Sequence, residues 1–109
     1  AEVHVLGVAY KPDVSDTRES PAFDVIDLLR SRGTSISYHD PHVPDISTAD
    51  WHYESQPLTD EVLRAQDCVV IVTDHSEFDV GRIVELAPRL FDARNATAEY
   101  RELEHVQRL

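Results

Sequence analysis

Among 109 residues the sequence holds a single cysteine, Cys68, and no methionine. One thiol allows neither an internal disulfide nor a CxxC metal or redox pair, and it fits a reducing, cytoplasmic setting. Glycine is scarce too. Gly7, Gly33 and Gly81 stand far apart, so the chain has no GxGxxG turn between strand and helix and no P-loop. A dinucleotide cannot be cradled here in the usual way. No apolar run approaches the ~18 residues of a membrane span, and no basic, apolar, small-residue leader opens the chain. It therefore reads as soluble and unexported, with no membrane partner. Lysine is nearly missing: Lys11 stands alone among arginines, and 21 acidic against 10 basic residues leave a net charge of −11. Such a chain repels a phosphate polymer, which argues against nucleic acid as a partner. Abundant Asp and Glu with almost no lysine also suit a protein adapted to high salt, where screening removes self-repulsion.

What is present is globular. Apolar residues make up 41% and charged ones 28%, in a length that supports one core rather than two, so residues 1–109 are expected to form a single domain. Strand and helix patterns alternate along it. Val3 to Ala9 (VHVLGVA) predicts a buried strand, and the polar YKPDVSDTRES, punctuated by Pro12, predicts a loop. Ser20-Pro21 marks a helix start, with serine as N-cap and proline at the first helical position. Phe23, Val25, Ile26, Leu28 and Leu29 form its apolar stripe, Asp24, Asp27 and Arg30 face water, and Gly33 closes it. Thr34 to Tyr38 is a second strand, ended by His39-Asp40-Pro41. Val43 to Gln56 predicts a loop, with at most a short edge strand. Thr59 caps a helix running to Ala65. Asp67 to Thr73 is the clearest strand, because the four consecutive apolar β-branched residues Val69 to Val72 need both faces covered. Val80 to Ala87 is a helix stopped by Pro88, Arg89 to Asp92 a last short strand, and the tail over residues 96–109 reads as partly helical from Ala98, its role unassigned.

This order predicts an α/β fold: a three-layer, Rossmann-like domain with a mainly parallel sheet and helices on both faces. Such sheets bind ligands at the C-terminal ends of their strands, here the loops beginning at Tyr10, His39, Thr73 and Asp92.

Several chemistries can be weighed against that frame. Cys68 lies within CVVIV, where a thiol acts as a small buried hydrophobe with a raised pKa, so no catalytic residue is assigned. Asp40 stands where a ribose-binding acid would, but Asp-Pro reads better as a turn. His39-Asp40-x-His42 and Asp74-His75 lack metal-ligand spacing and read as solvated loop residues, and no metal is expected, although their place at C-terminal strand ends leaves contact with a ligand or a neighbouring domain open. A phosphorylation receiver needs a lysine near a fifth strand, whereas the single lysine follows the first. Lys11 and Arg18, in the loop after strand one, suit a phosphate-bearing small molecule. Neutralisation by the adjacent Asp13, Asp16 and Glu19 accounts for them equally well.

The run GVAYKPDVSDTRESPAFDVIDLL (Gly7 to Leu29), then Gly33, YHDP, VVIVTDHSEF (Val69 to Phe78) and FDARN (Phe91 to Asn95), resembles the C-terminal, UDP-binding domain of the UDP-glucose/GDP-mannose dehydrogenase family. The pattern G-x-A-[YF]-K-x(4)-D-x-R-x-S-P is long and specific, and AYKPDVSDTRESP resembles the branch acting on UDP-N-acetylhexosamines. The resemblance implies an enzyme that oxidises the six-position hydroxyl of a UDP-sugar to a carboxylate in two NAD-dependent steps, through a thiohemiacetal and a thioester on a cysteine. It also implies an N-terminal NAD domain and a central, cysteine-bearing domain as partners, so that this part alone is inactive. By position, Tyr10 and Lys11 match the aromatic and the lysine that contact UDP-sugar. Arg94 matches a substrate-binding arginine, and Arg18 matches one reaching toward NAD, with a salt bridge to Asp16 or Glu19 as its alternative. The surfaces that meet the other domains are expected to be exposed here, which allows a homodimer. A free-standing nucleotide-binding or regulatory module is the alternative from a different class.

Overall fold

A computed structural model of the chain describes residues 2–9, 13, 17, 20–93 and 105–108. Its elements are β1 (Glu2–Leu6), α1 (Pro21–Ser31), β2 (Ser35–His39), β3 (Asp45–Ser47), β4 (His52–Glu54), α2 (Asp60–Ala65), β5 (Cys68–Ile71), α3 (Val80–Leu86), β6 (Leu90–Asp92) and β7 (Val106–Arg108). Five strands form one sheet in the order β2-β1-β5-β6-β7, and every neighbouring pair is parallel. The expected α/β, Rossmann-like architecture is what the chain adopts.

Helices cover both faces. Val3, Val5, Val70 and Val72 pack with Ala22 and Ile26 of α1, with Tyr38, and with Ile46 and Trp51. Leu6, Val69, Ile71 and Leu90 pack with Leu63 of α2 and Ile83 and Val84 of α3. The alternation along β1 and β5 is the period-2 pattern of strands buried on both sides. Helix ends are set locally. Ser20 Oγ accepts the Ala22 N–H at 3.2 Å, Thr59 Oγ1 accepts the Val62 N–H at 3.2 Å, and Asp79 caps α3. Gly33 follows α1 at φ +77°, its N–H donating to the Arg30 carbonyl.

The structure corrects the sequence reading at several points. The first strand ends at Leu6 rather than Ala9, because Gly7 turns to φ +83° and the amides of Val8 and Ala9 leave the ladder for a carboxylate described below. In α1, Ala22 takes the buried position while Leu28 is 58% exposed, and Asp27 accepts the Trp51 indole N–H at 2.8 Å instead of merely facing water. Residues 43–56 hold a complete two-stranded antiparallel hairpin, β3–β4, rather than a loop with one edge strand. Trp51, against Phe23 and Tyr53, anchors it on α1. The end of the tail is β7, paired with β6, and not helix, while the helical expectation from Ala98 to residue 104 lies outside the described residues. Cys68 is half-buried, and burial pushes its thiol up. Among the described residues no helix is long and apolar enough to cross a membrane.

Candidate functional site

From β1 the chain crosses through α1 to β2 on one side. It then returns past β1 to place β5 on the other side. The strand order therefore reverses between β1 and β5, and the crevice at their C-terminal ends is where open α/β sheets take ligands.

The residues at that point are closely interlocked. A Cβ on Gly7 would stand 2.3 Å from the Thr73 carbonyl oxygen, so the ends of β1 and β5 touch backbone to backbone. Only glycine allows both this approach and the positive φ. Thr73 Oγ1 donates to the Ala9 carbonyl at 2.6 Å. From the end of β2, Asp40 reaches across: its Oδ2 accepts the N–H of Val8 at 2.8 Å and of Ala9 at 3.2 Å, and its Oδ1 accepts the His42 N–H at 2.8 Å. The last contact is the turn expected of Asp-Pro. The others make Asp40 much more than a turn residue.

The fourth donor to Asp40 is His75, whose Nε2 lies 2.8 Å from Oδ2. Asp40 is 2% exposed and His75 0%, so neither is the solvated loop residue expected from sequence. A buried carboxylate is tolerable only when it is well hydrogen-bonded, and here three donors converge on Oδ2 and one reaches Oδ1. On the far side of the ring, His75 Nδ1 accepts the Asp13 N–H at 2.7 Å. A nitrogen that accepts carries no proton, so the hydrogen resides on Nε2 and points at Asp40. Asp13 is exposed, holds φ +62°, and accepts the N–H and Oγ–H of Ser76 through Oδ1 at 2.8 and 2.9 Å. Those bonds hold its carboxyl below the usual range. Burial, reinforced by repulsion from Asp92 and Asp13, pushes Asp74 the other way.

Donor atoms of Asp13, His42, His75 and Glu77 all lie within 4.8 Å of one another. Both His75 nitrogens are committed, Asp13 Oδ1 takes two hydrogen bonds, and His42 Nε2 sits 2.7 Å from Glu77 Oε2. The group ties loops together. A cavity of about 470 Å³, bordered by Pro88, Arg89, Phe91 and Gln107, opens at the opposite end of the strands, away from the switch point.

Tyr10, Lys11, Arg18 and Arg94, the residues expected to bind substrate and cofactor, lie outside the described residues, as do Asp16 and Glu19. The structure describes Ala9 and Asp13 on either side of residues 10–12, and Ala93 before Arg94. Residues 10–12 run between Ala9 and Asp13, both pinned at the β1/β5 crevice. Arg94 follows Ala93, whose N–H donates to the Ile71 carbonyl at 3.0 Å. Four acids, Asp13, Asp40, Asp74 and Asp92, stand among the described side chains at these strand ends, beside His42, Thr73, His75 and Ser76. Sequence reasoning placed Asp40 and His75 at C-terminal strand ends but missed their burial and their bond to each other.

Residues 4–99 match the model of the UDP-glucose/GDP-mannose dehydrogenase family, UDP binding domain. A UDP-N-acetyl-D-mannosamine dehydrogenase of Methanococcus maripaludis is 36% identical over 104 residues, covering 86% of this chain and 22% of the relative. The UDP-glucose 6-dehydrogenase TuaD of Bacillus subtilis is 29% identical over 100 residues, covering 85% and 22%. Among solved structures, a UDP-D-ManNAc dehydrogenase from Pyrococcus horikoshii superposes with a TM-score of 0.76 at 26% identity, over 99% of this chain and 25% of that one. The chain thus spans about a quarter or less of these relatives' length. With the family model matching most of its residues, the chain belongs to the UDP-glucose/GDP-mannose dehydrogenase family, in the part described as the UDP binding domain.

Proposed function

We propose that this chain is the UDP-sugar-binding domain of an NAD-dependent nucleotide-sugar 6-dehydrogenase, which oxidises the sugar's primary alcohol to a carboxylate. The NAD domain and the domain carrying the catalytic cysteine would be supplied by polypeptide beyond this sequence, so these 109 residues are inactive alone. The observation that carries this reading is the β1/β5 crevice. Its strand ends meet backbone to backbone at Gly7 and Thr73, and the chain on either side of Tyr10 and Lys11 is hydrogen-bonded in place there.

Lys11 neutralises diphosphate oxygens and Tyr10 packs on the base or sugar. Arg94 adds a second cation for the substrate, and Arg18 reaches NAD on the neighbouring domain. In a rim of carboxylates these cations create the anion site. Holding UDP remote from the reacting carbon uses binding energy to orient the sugar's terminal hydroxymethyl. The motif AYKPDVSDTRESP, and higher identity to the N-acetylmannosamine enzyme than to the glucose enzyme, favour a UDP-N-acetylhexosamine as substrate.

The partners in this reading are the UDP-sugar, the two other domains and a second copy in a homodimer. Nucleic acid and membrane are not among them, and the setting is a reducing, salt-rich cytoplasm. The test is calorimetric titration of UDP into the full-length enzyme and its Lys11→Ala variant. Loss of a charge-assisted contact should raise the Kd about tenfold or more. An unchanged Kd would overturn the assignment.

A further inference from the structure

We infer that Asp40 and His75 are positioning residues for nucleotide binding, a buried clamp that fixes both ends of the segment carrying Tyr10 and Lys11. This rests on the UDP-binding reading above.

Residues 10–12 are bracketed by Ala9 and Asp13. Ala9 is held by its N–H on Asp40 Oδ2 and by its carbonyl under Thr73 Oγ1. Asp13 is held by its N–H on His75 Nδ1 and by its carboxylate on Ser76. The two anchors are one unit, because His75 Nε2 and the amides of Val8 and Ala9 share the same Asp40 oxygen. Every link joins a different strand end: β1 supplies the held amides, β2 the carboxylate, and β5 the imidazole and the serine. A core whose only need was burial would place apolar side chains here. The chain instead buries a carboxylate and an imidazole completely and bonds them to the amides of Ala9 and Asp13. The imidazole joins the two anchors, accepting at Nδ1 while donating at Nε2. Because Ala9 and Asp13 are already held in place when the ligand arrives, less ordering is left for binding to bring about, so the clamp acts on affinity through preorganisation.

Two variants of the full-length enzyme separate this from a merely structural role. His75→Gln keeps a donor toward Asp40 but leaves the Asp13 N–H without its acceptor. Asp13→Gly lies on the surface, relaxes the positive φ, keeps the backbone N–H that His75 accepts, and deletes the carboxylate that bonds Ser76 and interacts with His75 and Glu77. The Kd for UDP is measured by calorimetry well below each melting temperature, alongside wild type and Lys11→Ala. We expect both clamp variants to raise the Kd about fivefold or more. The KM for UDP-sugar should rise in parallel, with kcat at saturation near wild type. Wild-type Kd values in folded His75→Gln and Asp13→Gly, with Lys11→Ala weakened, would overturn the clamp alone. A wild-type protein that does not bind UDP, or a Lys11→Ala variant that binds as wild type does, would overturn the underlying reading, and the clamp with it.

Discussion

Two histidines of this domain are wholly buried, and their surroundings give them opposite roles. His75 has a partner at each nitrogen and joins strand ends. His4, in the middle of β1, meets Ser37 Oγ at 2.7 Å through Nδ1, while its Nε2 finds no hydrogen-bond partner among the described residues. Burial, with a smaller contribution from His39, lowers its pKa from 6.5 to about 4. Between those values the unfolded chain binds a proton that the folded one refuses, so stability falls as pH drops through 6.5 and levels off near 4. The expected contribution is about 3 kcal/mol. Urea titrations at pH 7 and pH 4.5 measure it, and His4→Leu should lose most of the difference; an equally steep loss in the variant would refute this origin. In sequence, His4 is hidden inside an apolar run, and nothing local announces its burial. The same holds for Asp40 and His75, whose bond spans 35 residues of chain.

Elements with local causes were legible, and those with tertiary causes were not. The Ser20 and Thr59 caps and the Gly33 stop act within four residues of chain, so sequence places α1 and α2 almost to the residue. The β3–β4 hairpin depends on Trp51 bonding Asp27 and on Arg30 bonding the Tyr53 hydroxyl, contacts 24 and 23 residues apart. Its strands of three residues carry no periodicity to detect. Likewise β7 is a strand only because β6 offers it an edge. The switch from β1 to the loop after it depends on one glycine. Gly7→Ala would place a methyl against the Thr73 backbone at positive φ, and should cost about 2 kcal/mol or more. Chemical denaturation checks this, and a loss below about 0.5 kcal/mol, the range of a neutral surface change, would contradict the close approach.

For the whole molecule, fold class and sheet direction follow from the alternation of patterns, and the switch point follows from strand order. The position of the anion site is a matter of charge. At −11 the domain repels itself and any polyanion, so the proposed site relies on a few cations set against an acidic rim. Screening should relieve the self-repulsion, so the melting temperature is expected to rise between dilute buffer and molar KCl. A flat or falling melting temperature would remove the basis for salt adaptation. The most direct test of the central claim is amide NMR of this chain during titration with UDP. Saturable shifts centred on Val8, Ala9, Asp13 and Ser76 are predicted. No saturable shift, or shifts confined to Arg89, Phe91 and Gln107 at the other end of the sheet, would contradict the account.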